Sequence, residues 1–158
     1  MATQTSGKIF TRDFILCFLA QTAFGFVYYL LIPTLPIYLS RVESTETEIG
    51  VLIGILSISS MVLKPFIGKA LLKIPAKSFM VAGGLLFVLT SLAYLVAPPF
   101  WPFFAIRVLQ GIGLALFHTA SYTLVASSSS ASTRAQSLSY YILAWNISGA
   151  LGPAVGMF

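Results

Sequence analysis

Long charge-free apolar runs alternate with short polar stretches along this chain: Phe14 to Ser40, Ser78 to Ile106, Val108 to Thr133 and Ala135 to Phe158. A shorter run from Ile49 is broken after Leu63 by Lys64. A lysine about a turn from a helix end can extend its ammonium to the interface, so this run also counts as a span. A bilayer needs about 20 apolar residues per helix, and the stretch from Ser78 to Ile106 exceeds that. Pro98, Pro99 and Pro102 divide it at a tight turn. The pattern predicts five helices, over 14–39, 47–67, 78–97, 102–126 and 136–158, behind an N-terminal tail of residues 1–13.

The polar stretches carry local signals. Thr45 and Glu48 have the spacing of a capping box, with Glu46 and Glu48 near the positive end of the second helix; plain solvated loop polarity fits the same residues. Ser127 to Ser130 and the following Ala131-Ser132-Thr133-Arg134 read as a flexible connection between the fourth and fifth spans. With a cytoplasmic N-terminus, the inner segments hold Lys8, Arg12, Lys64, Lys69, Lys73, Lys77 and Arg134, and the outer segments hold only Arg41. That asymmetry favours a cytoplasmic N-terminus and cytoplasmic tail. The first run is longer than a secretory h-region of about 7–15 residues, so it is read as a retained span of a multi-pass protein of a plasma membrane or bacterial inner membrane.

Composition excludes a water-soluble globule. The chain has 158 residues, 58% hydrophobic and 8% charged, against about 25% charged in soluble domains, and its mean hydropathy is +0.93. Lipid is therefore the expected solvent, and the bilayer the first partner. The net charge of +5 does not indicate nucleic acid, because the basic residues fall between apolar runs rather than on one face. A single cysteine, Cys17, excludes a disulfide framework and a cysteine-based metal site. An intramembrane hydrolase would need a Ser/His pair, paired Asp or a His cluster at membrane depth. With one histidine and no acid at membrane depth, neither enzyme chemistry, a metal nor a cofactor is expected.

Candidate chemistry concentrates in three helices. Arg107 lies inside the fourth span, where a charge costs several kcal/mol unless it faces a cavity or partner. His118 follows 11 residues later on nearly the same face, about 16 Å along the axis, and Gln110, Leu114 and Tyr122 complete the stripe. This is either a polar pathway or proton relay, or a structural arginine and a satisfied histidine; Gly111 and Ala115 fit close helix packing. In the first span Gln21, Gly25 and Tyr28 share a face, suited to a midplane binding site or to interhelical bonding, and Pro33 and Pro36 are expected to bend its outer end. Trp145 and Asn146 are candidate cavity residues of the fifth span. Asn146-Ile147-Ser148 matches a glycosylation sequon, discarded because it lies within a span. Ser148, Gly152 and Gly156 beside Pro153 predict a packing surface and hinge.

Several of these segments together resemble the N-terminal part of a major facilitator superfamily transporter, from about Phe14 to Phe158. The first helix ends Ile32-Pro33-Thr34-Leu35-Pro36-Ile37-Tyr38. The fourth carries Arg107-Val108-Leu109-Gln110-Gly111-Ile112-Gly113, similar to the family's RxxQGxG pattern. The fifth holds Gly152-Pro153-Ala154-Val155-Gly156, which looks like the GPxxG motif of the drug:proton antiporter branch. The segment from Gly68 to Lys77 resembles the basic gating loop GxxxDRxGRR, keeping Gly68, Lys73 and Lys77, but Leu72 replaces its acid and Pro75 its second glycine.

The resemblance implies an all-α, polytopic transmembrane helical bundle, the first five helices of a twelve-helix fold that works by alternating access. Residues 14–158 would be a partial N-terminal bundle, and the missing C-terminal helices of the same protein its partners. Phe158 falls inside an apolar helix, as expected of a fragment. The implied function is proton-coupled efflux of a small organic compound, with Gln21, Tyr28, Arg107, Gln110, Tyr122, Trp145 and Asn146 facing the cavity. The coupling proton falls to His118 or to a residue beyond the chain. An uptake carrier for a sugar or metabolite, or a small non-transporting membrane subunit, are the competing expectations.

Overall fold

A computed structural model describes residues 9–98 and 100–157. Lys8, Pro99 and Phe158, which enter the sequence reading as an inner charge, a turn residue and the chain's end, lie outside the described residues. Five helices follow one another: α1 (Arg12–Arg41), α2 (Glu46–Ala70), α3 (Ala76–Ala93), α4 (Trp101–Ser128) and α5 (Arg134–Gly156). No strand occurs among the described residues.

The polar stretches set the boundaries. Thr45 caps α2 with both bonds of the capping box: its backbone N–H donates to Glu48 Oε2 at 2.8 Å and its Oγ1 accepts from the Glu48 N–H at 3.3 Å. The turn before it places Glu43 in the left-handed region, with φ 59°. α3 stops at Ala93, four residues before the expected end at 97, and Tyr94 to Val96 form a turn. The residue before a proline avoids the helical region, so Pro98 disfavours helix at Ala97 and the last turn is lost. Phe100, with φ 71°, redirects the chain, and Pro102 is tolerated because it falls in the first turn of α4.

One expectation is corrected. The serine-rich connection is a short hydrogen-bonded turn rather than a flexible linker: α4 runs to Ser128, Ser130 Oγ lies 2.7 Å from Thr133 Oγ1, and Arg134 Nε donates to the Ala126 carbonyl at 2.9 Å. Serine hydroxyls bonding nearby backbone and one another replace the disorder their composition suggests. α1 runs as helix through Pro33 and Pro36 to Arg41, so the two prolines lie within the element and do not end it.

The helices α1 to α4 are long and apolar enough to cross a membrane. α5 has the length, about 35 Å at 1.5 Å per residue, but is more polar than the other four. Part of its polarity is turned inward, with Ser137, Tyr141 and Ser148 buried along with Ala144 and Gly152, while Gln136, Ser139 and Asn146 are exposed.

The chain forms two compact units, one of Met1–Pro33 with Tyr122–Phe158 and one of Thr34–Ser121. In the second, Leu35, Leu39, Leu52, Phe103 and Ile106 form a core, edged by Ile49, Tyr94 and Phe104. Glycines bring its helices together. A Cβ on Gly111 of α4 would meet Leu56 O of α2 at 2.5 Å and Ser59 Oγ closer still, and one on Gly83 of α3 would meet the Phe117 N of α4 at 2.6 Å.

In the first unit α5 lies on α1 in the same manner. A Cβ on Gly25 would come within 2.9 Å of Ser148 Cβ, and one on Gly152 within 2.7 Å of Tyr29 Cβ. Ser148 Oγ lies 2.8 Å from the Thr22 carbonyl of α1 and 2.9 Å from the Ala144 carbonyl of its own helix, so its one hydrogen is shared between the two.

Candidate functional site

Arg107 and Gln110, one helical turn apart on α4, are both buried, with 6% and 0% exposure. Arg107 Nη1 donates to Gln110 Oε1 at 3.2 Å. The same oxygen accepts the Tyr94 hydroxyl at 2.9 Å, and Gln110 Nε2 donates to Ser91 Oγ at 3.2 Å. The guanidinium carbon lies 5.9 Å from the centre of the Tyr94 ring, within cation–π range. An interior charge is thus surrounded by dipoles and an aromatic face, as its burial requires. Ser91 and Tyr94 were not expected from sequence. Their signal is two polar residues three apart at the end of an otherwise apolar helix, just ahead of the proline turn.

His118, two turns and more beyond Gln110, is half-buried, and its carbonyl accepts the Ser121 hydroxyl at 3.0 Å. Between Gln110 and His118 the stripe is apolar, with Leu114 and Ala115 buried in the core.

The first unit gathers a second set. Gln21 is completely buried on α1 and its Oε1 accepts the hydroxyl of Tyr141, also completely buried, at 3.1 Å. Gln21 Nε2 has no hydrogen-bond partner among the described residues. Tyr122 of α4 meets Tyr141 edge-on at 5.2 Å. The Trp145 ring of α5 lies 5.1 Å from Tyr28 and 5.0 Å from Tyr29. The structure therefore groups Tyr28 with Trp145, and groups Gln21 and Tyr122 through Tyr141, which sequence reasoning missed within the pair Tyr140-Tyr141. Asn146 is exposed and apart from these contacts.

Of the remaining candidates, Gly68 belongs to the last turn of α2, Lys73 to the following turn and Lys77 to the first turn of α3, all three exposed. Leu72 between them is 86% exposed. Gly111 packs on α2 and Gly152 on α1, while Pro153 and the half-buried Gly156 complete α5. A separate cavity of about 190 Å³ in the first unit is lined by Thr11, Asp13, Cys17, Ser129, Thr133 and Ser137 among others, and by none of the expected site residues. Among the described residues, no group of three His, Cys, Asp or Glu is placed to hold a metal ion.

Comparison with known proteins gives these features a context. Residues 17–158 match the Major Facilitator Superfamily. The quinolone resistance protein NorA of Staphylococcus aureus is 28% identical over 129 residues, covering 82% of this chain and 33% of NorA. The uncharacterized MFS-type transporter YfkF of Bacillus subtilis is 29% identical over 140 residues, covering 89% of this chain and 36% of YfkF. The chain thus spans about a third of the length of these relatives. Its all-α architecture, its membrane-length apolar helices and a match over nearly all of its residues agree: this multi-pass integral membrane chain belongs to the major facilitator superfamily.

Proposed function

We propose that the protein containing this chain is a secondary active transporter that exports small organic compounds, coupled to protons, by alternating access. The observation that carries the reading is Arg107, a buried charge inside a membrane-length helix, held by Gln110 in an RxxQGxG segment. Similarity to NorA, named for quinolone resistance, supports a small organic substrate, and the outward direction rests on the GPxxG-like segment from Gly152 to Gly156. We assign substrate contact to the aromatic and amide groups of the first unit, namely Gln21, Tyr28, Tyr122 and Trp145, with Asn146 as a further candidate. The coupling proton is assigned to His118 or to a residue outside this chain, because the acids of this chain sit at helix starts or in turns: Asp13, Glu43, Glu46 and Glu48.

The exposed turn of Gly68, Lys73 and Lys77 is assigned to the cytoplasmic face as part of the gate, with the N-terminus on the same side, and Gly111, Gly152, Pro153 and Gly156 to packing and hinge. The experiment is transport by the intact gene product in energised cells of a bacterial-type inner membrane. Compounds excluded by cells making the protein, with exclusion abolished by a protonophore and by Arg107→Ala, are the expected result. Accumulation inside would replace export with uptake, and an unchanged rate in Arg107→Ala would remove its assigned role.

A further inference from the structure

Gln110 has a fixed orientation, and its cause lies on α3. The Ser91 hydroxyl donates its only hydrogen to the Phe87 carbonyl at 2.7 Å, so towards Gln110 its oxygen acts as an acceptor. Only the amide nitrogen of Gln110 can satisfy it, at 3.2 Å. The amide oxygen is thereby turned the other way, to where the Tyr94 hydroxyl and Arg107 Nη1 both donate to it.

Tyr94 itself is held in place. It is the first residue beyond α3, where the helix ends early, and its ring meets Phe103 of the core edge-on at 4.9 Å. Its face lies 5.9 Å from the guanidinium carbon while its hydroxyl reaches the oxygen that the guanidinium also uses. One side chain therefore touches Arg107 directly through its ring and indirectly through Gln110.

We infer that Tyr94 is a positioning residue for Arg107, its hydroxyl and ring fixing the guanidinium on α4 through the shared Gln110 oxygen. The inference rests on the reading that Arg107 serves transport. Hydrogen bonds involving charged groups are the stronger ones, and loss of such positioning is expected to slow transport about tenfold. Tyr94→Phe keeps the ring and its contact with Phe103 and deletes only the hydroxyl, so it is close to isosteric.

The test is a double-mutant cycle on the intact gene product, reading initial transport rates at matched membrane abundance for wild type, Tyr94→Phe, Gln110→Leu and the double variant. Tyr94→Phe is expected to lose rate, Tyr94→Leu to lose more, and the Phe effect to vanish once Gln110 is Leu. Gln110→Met serves the same purpose should the Leu variant fail to accumulate. A Tyr94→Phe rate equal to wild type, or an equal loss with and without Gln110, would overturn the inference and leave Tyr94 as packing. Arg107→Ala measured alongside separates the two readings. Its inactivity with a null cycle rejects only the role of Tyr94, whereas normal transport by Arg107→Ala rejects the role of Arg107 on which this one depends.

Discussion

Gly83 and Gly84 are adjacent in α3 and chemically identical, yet a methyl group means opposite things at the two positions. At Gly83 it would strike the Phe117 nitrogen at 2.6 Å and the Gly113 oxygen at 2.7 Å, both backbone atoms of α4 that cannot rotate away. At Gly84 it would meet nothing within 4 Å. Gly83→Ala should therefore destabilise by about 1–3 kcal/mol through overpacking. Gly84→Ala should be neutral or stabilise by up to about 1 kcal/mol, because alanine is the better helix former. Thermal unfolding in mild detergent reads both, and equal shifts would refute the assignment of faces. The sequence shows a glycine pair but not which member meets α4. By contrast, Gly111 in the segment RVLQGIG could be recognised as a packing position, because its neighbours fix the helix face. Tyr94 carried a weaker signal, its spacing of three from Ser91, because nothing in the sequence of α3 shows that this face meets Gln110 of α4.

A helix's ends are decided by few residues, and this chain shows where those are readable. The start of α2 was legible in Thr45 and Glu48 because the capping box is a local device with fixed spacing. Thr45→Ala should remove about 1 kcal/mol from the first turn, and Thr45→Ser should retain most of it. Amide hydrogen exchange near Glu48 would show this as about fivefold faster opening, and unchanged exchange in the Ala variant would mean the box contributes nothing. The end of α3 was misplaced by four residues because apolarity continues through Val96 while helical geometry does not. The linker after α4 was misread for a related reason. Its serines are hydrophilic, but in place they bond to Val125 O and to neighbouring hydroxyls, which shortens the connection.

For the molecule as a whole, the distribution of charge was the most informative feature of the sequence. Few charges and five apolar stretches required lipid as solvent, and the family match agrees. The inner position proposed for Lys73 and the outer position for Glu43 give a direct test of orientation. In a Cys17→Ala background, a membrane-impermeant thiol reagent applied to intact cells should label Glu43→Cys, and label Lys73→Cys only after the membrane is opened. The reverse pattern would invert the topology. Starting from Cys17→Ala is safe in signal, since that thiol is buried. The aromatic set around Trp145 was only partly legible, because Tyr141 joins Gln21 across a sequence separation that no periodicity reports.

That separation has a consequence for biosynthesis. The bonds from Tyr141 to Gln21 and from Ser148 to Thr22 span 120 and 126 residues. At about 5–20 residues added per second, α1 leaves the ribosome several seconds before its partner exists. During that interval Gln21 carries its amide, and α1 its glycine-notched face, with nothing of α5 to cover them. A lone amide in hydrocarbon is costly, so the newborn helix has reason to linger beside the insertion machinery, or at the lipid interface, until α5 arrives. Substitutions at Tyr141 or Ser148 would then act first on the yield of correctly inserted chains and only afterwards on the finished protein.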